Sequence, residues 1–130
     1  VCEESAESLY SKCQYVSLHI PATAETRGSI AYDLLKSMPE GATLVNTARQ
    51  EVIDEEGLKR IFTERDDFRY ISDIAPDCKG ELEEKYAGRV FFTPKKMGAQ
   101  TAEANLNAGV AAAKQIVNFL EKGDTTFKVN

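Results

Sequence analysis

The fold of this chain is decided by one stretch, Gly41-Ala42-Thr43-Leu44-Val45-Asn46-Thr47-Ala48-Arg49. It follows a turn, runs through a short apolar segment and ends at an arginine. Helical patterns flank it on both sides, which is typical of a strand that is buried on both faces of a parallel sheet. The carboxyl ends of such strands face the ligand crevice, where the Arg49 guanidinium can bind a carboxylate or a carbonyl oxygen. The alternative is a surface arginine that pairs with Glu51 or Asp54.

Outward from this stretch, helical and strand patterns alternate along the whole chain. Apolar periodicity predicts helices over residues 3–12, 30–38, 55–63, 78–86 and 102–122, and short apolar runs predict strands over 15–20, 41–49, 69–74 and 89–92. Ser29 and Asp54 are the predicted N-caps of the second and third helices. Arg65-Asp66-Asp67 is predicted to be a solvated turn. The order α-β-α-β-α-β-α-β-α predicts an α/β fold with a parallel sheet of about four strands and right-handed crossovers.

Composition excludes several classes of function. The 130 residues carry a net charge of −5 and no basic block, which disfavours a nucleic-acid or membrane-surface partner. The three cysteines, Cys2, Cys13 and Cys78, are unevenly spaced and form no CxxC pair, so we expect reduced thiols in a cytoplasmic protein and no metal site. No apolar run in the sequence approaches membrane-spanning length.

Polar residues lie at the end of every predicted strand or shortly after it. They are His19, Thr47 with Arg49, Asp73, and the pair Lys95-Lys96. Polar groups at successive strand ends indicate a ligand crevice. The alternatives are a structural hydrogen bond for His19, a cap for the segment after the strand in the case of Asp73, and a solvated loop for the two lysines. The chain contains no GxG and no GxxxxGK[ST] pattern, so it lacks a glycine-rich phosphate loop of its own.

Two groups of segments carry a family resemblance. Val16–Pro21 with Thr23 and 25–28, then Leu44–Arg49 with 52–54, resemble the second half of the NAD-binding domain of the D-2-hydroxyacid dehydrogenases. The resemblance implies a Rossmann-type fold and runs from about Tyr15 to the end of the chain. It assigns residues 1–101 to the C-terminal half of that domain, and 102–130 to a helix and tail that pack back toward a substrate domain. Without the glycine-rich loop, the chain is expected to be incomplete and inactive alone.

The resemblance also implies roles for individual residues. Arg49 looks like the arginine that binds the carboxylate and carbonyl of the substrate, and Asp73 like the aspartate that holds the nicotinamide carboxamide. The other implied cofactor contacts are His19, Pro21, Thr23, Thr47, Ala48 and Gly98. The implied cofactor is NAD, with NADP as the alternative, and the implied partners are a small-molecule substrate and a second copy in a homodimer.

The chain departs from the family pattern at the acid-base residue. Family members usually have a histidine after the proline, where this chain has Pro94-Lys95-Lys96-Met97-Gly98. A lysine there is similar to a subgroup of 3-phosphoglycerate dehydrogenases. Alignment from Pro94 nominates Lys95, which we favour, and alignment back from Gly98 nominates Lys96. The glutamate that normally pairs with the histidine is also missing, and Cys78 stands at its spacing. This loss is chemically coherent, because a carboxylate would raise a lysine pKa that is already too high for acid-base work.

The resemblance therefore implies NAD-dependent oxidation of 3-phospho-D-glycerate to 3-phosphohydroxypyruvate, in serine biosynthesis. One alternative keeps the family and changes the substrate to another D-2-hydroxy acid. Another is a non-catalytic α/β module derived from such a domain, which the missing phosphate loop favours.

Substitution of Lys95 and of Lys96 tests which lysine, if either, is the acid-base residue. An unperturbed lysine has a pKa near ~10.4, so the base needs desolvation and a neighbouring cation to become neutral. In the complete enzyme we expect Lys95→Met to abolish turnover. We expect Lys96→Met to weaken turnover and to move the pH–rate profile upward, because the cation that lowers the pKa is gone. Lys95→His should keep partial activity. A fully active Lys95→Met with an inactive Lys96→Met would assign the role to Lys96, and two active variants would exclude a lysine base.

Overall fold

The strands form a four-stranded parallel sheet whose neighbours follow chain order. In this computed structural model, which describes residues 2–94 and 101–129, the strands are β1 (Tyr15–Leu18), β2 (Thr43–Asn46), β3 (Arg69–Ser72) and β4 (Val90–Phe92). The helices are α1 (Ala6–Lys12), α2 (Tyr32–Lys36), α3 (Glu55–Glu64), α4 (Lys79–Lys85) and α5 (Ala102–Lys122), with a 3₁₀ turn at Gln50–Val52. The predicted alternation and the parallel sheet are confirmed.

The chain divides into two compact units, residues 1–96 and 97–130. The first unit contains the sheet with α1 to α4, and the second contains α5. Helix α5 begins after Thr101, whose Oγ1 accepts a hydrogen bond from the Ala104 N–H, and ends at Gly123 with φ of 65°. Both bounds of α5 agree with the prediction. None of the helices in the described residues combines the length and apolar character that a membrane crossing needs.

The core lies between the sheet and the helices of the first unit. Inward-facing residues alternate along β1 and β3, whereas in β2 three of the four residues are buried, as expected of a strand with a neighbour on each side. Helix α3 contributes Leu58, Ile61 and Phe62, which are all buried as predicted. Its N-cap is Asp54, whose carboxylate accepts a hydrogen bond from the Gly57 N–H, and this prediction is confirmed.

Helix α2 begins later than predicted, and the expected Ser29 cap is wrong. The helix starts at Tyr32 after an extended Ala31, with no side-chain cap. The reason is that Ile30 forms a parallel bridge with Ile53, in which the Ile30 N–H donates to Val52 O at 3.0 Å. A backbone used in a bridge is extended, so the helix cannot start before the bridge ends.

The prediction of a solvated turn at Arg65–Asp67 is also wrong. The Arg65 guanidinium pairs with the Asp67 carboxylate and donates to Met38 O and Pro39 O, each at 2.8 Å. Asp67 in turn accepts a 2.6 Å hydrogen bond from the Gly41 N–H. The neighbouring Arg65 holds the pKa of the Asp67 carboxyl well below its usual value, despite the opposing effect of burial. The Arg65–Asp67 ion pair therefore fixes the turn that precedes β2.

Gly57 allows α2 and α3 to approach closely. A Cβ atom added there would lie 2.7 Å from the backbone nitrogen of Tyr32 and 2.8 Å from Asp54 Oδ2. Both contacts are shorter than real Cβ contacts, and the first is with backbone that cannot simply rotate away.

We therefore expect Gly57→Ala to lower the free energy of unfolding by about 1–3 kcal/mol, although alanine is the better helix former. Gly80→Ala in α4 is the matched control, because its added Cβ would meet nothing within 4 Å. Denaturant titration of the two variants and the wild type measures the effect. A Gly57→Ala protein as stable as Gly80→Ala would contradict the close approach.

Candidate functional site

The carboxyl ends of the four strands lie side by side. The last residues of neighbouring strands are paired in register: Leu18 with Asn46, Asn46 with Ser72, and Ser72 with Phe92. The residues that follow them are His19, Thr47, Asp73 and Thr93. The structure therefore places His19, Thr47 and Asp73 together at the carboxyl end of the sheet. Lys95, Lys96 and Gly98 lie outside the described residues.

Asp73 carries a buried acceptor that has no partner in the described part of the chain. Its side chain is half-buried, and within residues 2–94 and 101–129 Oδ1 is buried without a hydrogen bond. A buried polar atom without a partner costs about 1–3 kcal/mol, so such an atom needs an explanation. The alternative of a capping role fails, because α4 begins after Cys78 and has no side-chain cap. Within the described residues, Asp73 Oδ1 is thus an acceptor open to a donor from outside them.

Ser72 fixes the turn that bears Asp73. The fully buried Ser72 Oγ lies within donating distance of Asn46 O, at 2.8 Å, and of Ile74 O, at 2.7 Å. It also accepts a hydrogen bond from the Ile74 N–H at 3.1 Å. The Asp73 N–H donates to Asn46 O at 3.3 Å. The Asp73 turn is thereby tied to the end of the neighbouring strand β2.

Asn46 shapes the turn that bears Arg49. Its side chain is fully buried, and Oδ1 accepts from the Ala48 N–H at 3.0 Å. Its Nδ2 donates to Arg49 O at 3.0 Å and to the Tyr70 hydroxyl at 3.3 Å. Burial raises the pKa of the Tyr70 hydroxyl, which therefore stays neutral. Asn46, Ser72 and Tyr70 were not predicted as site residues, although a polar residue within an apolar strand pattern is a signal for such a role.

The Arg49 side chain is exposed at the end of this turn. Its Nη1 donates to Ala48 O at 2.8 Å. The surface pairing considered as the alternative for Arg49 is not formed among the described residues: Glu51 lies 4.0 Å from Arg27, and the Asp54 carboxylate caps α3. In the part of the chain that the structure describes, the guanidinium thus keeps donors for an anion at the strand end. Of its two neighbours, Thr47 is exposed and Ala48 is buried.

The loop after β1 carries three of the predicted cofactor contacts. His19, Pro21 and Thr23 are exposed. The His19 ring shares a 2.9 Å hydrogen bond with Ser17 Oγ, which fits the structural role considered for this histidine. Thr26 Oγ1 accepts from the Thr23 N–H at 2.8 Å and donates to Pro21 O at 2.6 Å, so the loop has a defined shape.

The same loop is fastened to the segment that follows Arg49. The Gly28 N–H donates to Glu51 O at 2.9 Å, and the Ile30–Ile53 bridge extends this contact. Gly28 has a φ of 63°, which favours glycine at this point. The loops after β1 and β2 are therefore neighbours. In the described ranges, no three His, Cys, Asp or Glu side chains are grouped to hold a metal ion.

Comparison with known proteins agrees with this geometry. The sequence profile of the D-isomer specific 2-hydroxyacid dehydrogenase NAD binding domain matches residues 1–87. Among solved structures, the chain is similar to NAD+-bound 3-phosphoglycerate dehydrogenase of Entamoeba histolytica, with 50% identity, a TM-score of 0.86, and coverage of 98% of this chain and 42% of that chain.

Two curated relatives extend the comparison. D-3-phosphoglycerate dehydrogenase of Haemophilus influenzae is 30% identical over 97% of this chain and 32% of that protein. Hydroxypyruvate reductase of Thermotoga maritima is 30% identical over 88% of this chain and 38% of that protein. The chain thus spans about a third of the length of these relatives. From its fold, its strand-end residues and the family profile, the chain belongs to the D-isomer specific 2-hydroxyacid dehydrogenases, within their NAD-binding domain.

Proposed function

We propose that the protein carrying this chain oxidises 3-phospho-D-glycerate to 3-phosphohydroxypyruvate with NAD, in serine biosynthesis, and that this chain forms the nicotinamide side of its active site. The observation that carries the reaction class is the buried Asp73 Oδ1, which has no partner among the residues that the structure describes, beside the strand end that bears Arg49. The choice of substrate is supported by the 50% identity with the 3-phosphoglycerate dehydrogenase of Entamoeba histolytica.

The donor and acceptor types at the strand ends fit a nicotinamide. A carboxamide offers N–H donors, and Asp73 Oδ1 is an acceptor that has no partner among the residues described. The exposed His19, Pro21, Thr23 and Thr47, with the backbone of Ala48, would hold the cofactor on the neighbouring loops. Gly98, outside the described residues, is proposed as a further cofactor contact. When bound, NAD supplies the hydride acceptor.

The remaining chemistry falls to side chains of this chain. Arg49 binds the substrate carboxylate with its planar fork and orients C2 toward the nicotinamide side of the crevice. As the C2 hydroxyl becomes a carbonyl, the same guanidinium stabilises the developing charge on the oxygen. The neutral amine of Lys95, or of Lys96 in the alternative assignment, accepts the hydroxyl proton.

A second candidate keeps the reaction class and changes the substrate. The similarity to hydroxypyruvate reductase of Thermotoga maritima favours a dehydrogenase for another D-2-hydroxy acid. A non-catalytic module is the third candidate.

The proposal further includes NAD rather than NADP, a homodimer, and a cytoplasmic location in keeping with the free thiols of Cys2, Cys13 and Cys78.

A substrate comparison tests the proposed function. We expect the complete protein to show its highest kcat/KM with 3-phospho-D-glycerate when that substrate, D-glycerate and D-lactate are each assayed with NAD+. A higher kcat/KM with D-lactate or D-glycerate would favour the second candidate. NADH binding without turnover of any of the three acids would favour the non-catalytic module.

Arg49→Lys tests the substrate contact. Lysine keeps the charge and loses the bidentate fork, so we expect a loss of about 2–4 kcal/mol of transition-state stabilisation, measured as the fall in kcat/KM of the complete enzyme. Arg27→Lys is the matched control, because Arg27 is an exposed arginine on the neighbouring loop, 4.0 Å from Glu51. If Arg49→Lys stays within a few-fold of the control, Arg49 does not bind the substrate.

A further inference from the structure

The Glu55 carboxylate joins two segments that are far apart in sequence. Glu55 is the first residue of α3. Its Oε1 accepts from the Asp77 N–H at 2.8 Å, and its Oε2 accepts from the Cys78 N–H at 3.0 Å. Oε1 also accepts from Gln50 Nε2 at 3.3 Å. One carboxylate thus contacts the 3₁₀ turn after β2 and the loop after β3.

The ionisation of this group suits its contacts. Burial by itself raises the pKa of the Glu55 carboxyl, but the N–H groups of Asp77 and Cys78, with the Cys78 thiol and Gln50, outweigh it and hold the pKa below its usual value. Burial and the Glu55 carboxylate raise the pKa of the Cys78 thiol to about 12. At neutral pH the carboxylate is therefore charged and the thiol remains a neutral donor.

These contacts join the Arg49 turn and the loop that begins at Asp73 at the ends that lie away from the strands. Gln50 directly follows Arg49, and Asp77 and Cys78 end the loop that starts at Asp73. At their near ends the two segments are joined where the Asp73 N–H donates to Asn46 O. Each segment therefore runs between a junction at the strand ends and a junction at Glu55.

Comparison with the adjacent Glu56 distinguishes these contacts from the general effect of a negative charge in the first turn of a helix. Both glutamates lie in the first turn of α3, where a negative charge is favourable to the helix dipole. Glu56, however, is exposed and pairs with Lys59 of the same helix. Only the Glu55 carboxylate, of the two, reaches the loop after β3.

We infer that Glu55 is a positioning residue, which holds the Arg49 turn and the Asp73 loop at a fixed distance from each other. The inference rests on the roles proposed above for Arg49 and Asp73. Glu55 would thus affect cofactor binding without touching the cofactor or the substrate. It would act through the loop that begins at Asp73, whose Oδ1 has no partner among the described residues.

NADH titration of the complete protein, followed by fluorescence, tests the inference. Glu55→Gln replaces one accepting oxygen by an amide donor, so at least one of the two backbone N–H groups loses its partner. We expect the Kd for NADH to rise roughly tenfold in Glu55→Gln, as for the loss of a hydrogen bond to a charged group. The control Glu56→Gln should match the wild type. Glu55→Asp, which keeps the charge and retracts it by one methylene, should show a smaller rise.

Alkylation of Cys78 by iodoacetamide, followed by mass spectrometry, provides a second readout that needs no bound cofactor. We expect faster labelling in Glu55→Gln than in Glu56→Gln, because the charge that disfavours the thiolate is gone. An unchanged Kd for NADH in both Glu55→Gln and Glu55→Asp overturns the inference. A wild type that binds NADH but oxidises no 2-hydroxy acid overturns the proposed function alone, because the titration requires no turnover.

Discussion

The hydrogen bonds of the buried Asn46 are the interactions on which the rest of the candidate site depends. Its side chain holds the turn that ends at Arg49, and its carbonyl receives both the Ser72 hydroxyl and the Asp73 N–H. Because the Asn46 side chain is fully buried, the Ala48 N–H would lose its partner without gaining water if the amide were removed. The ends of β2 and β3, which carry Arg49 and Asp73, are therefore tied together at Asn46, through its side chain on one side and its backbone carbonyl on the other.

The opposite end of β2 is fixed by a different kind of contact. Asp67, paired with Arg65, accepts from the Gly41 N–H just before the strand begins. Gly41 has a φ of 72°, so the tight turn at that point requires glycine. The central strand is thus held by a partly buried ion pair where it starts and by a neutral amide where it ends. A strand secured at both ends gives the groups beyond it a rigid base, which preorganised sites require.

Local signals in the sequence predicted the features whose cause is local. The bounds of α5 depend on its own periodicity, on Thr101 and on Gly123, and the Asp54 cap depends on a residue three positions away. The failures have partners that are distant in sequence. Ser29 does not cap α2 because Ile30 bridges to Ile53, and the Arg65–Asp67 turn is fastened to residues 26 or more positions earlier. Glu55 was missed for the same reason, since its partners lie 22 and 23 positions later. The strand-end positions were predictable, whereas the groups that hold them were not.

The state of the Cys78 thiol has a consequence for chemical durability. Peroxide oxidises cysteine through its thiolate, and a thiol with a pKa of about 12 has almost no thiolate at the pH of a cell. A cysteine next to a ligand crevice is a vulnerable point, because its oxidation would add bulk and charge there. Here burial of the Cys78 thiol, and after it the contact with the Glu55 carboxylate, disfavours the thiolate. The residue that we infer to position the loop would therefore also make the cysteine of that loop less open to oxidation.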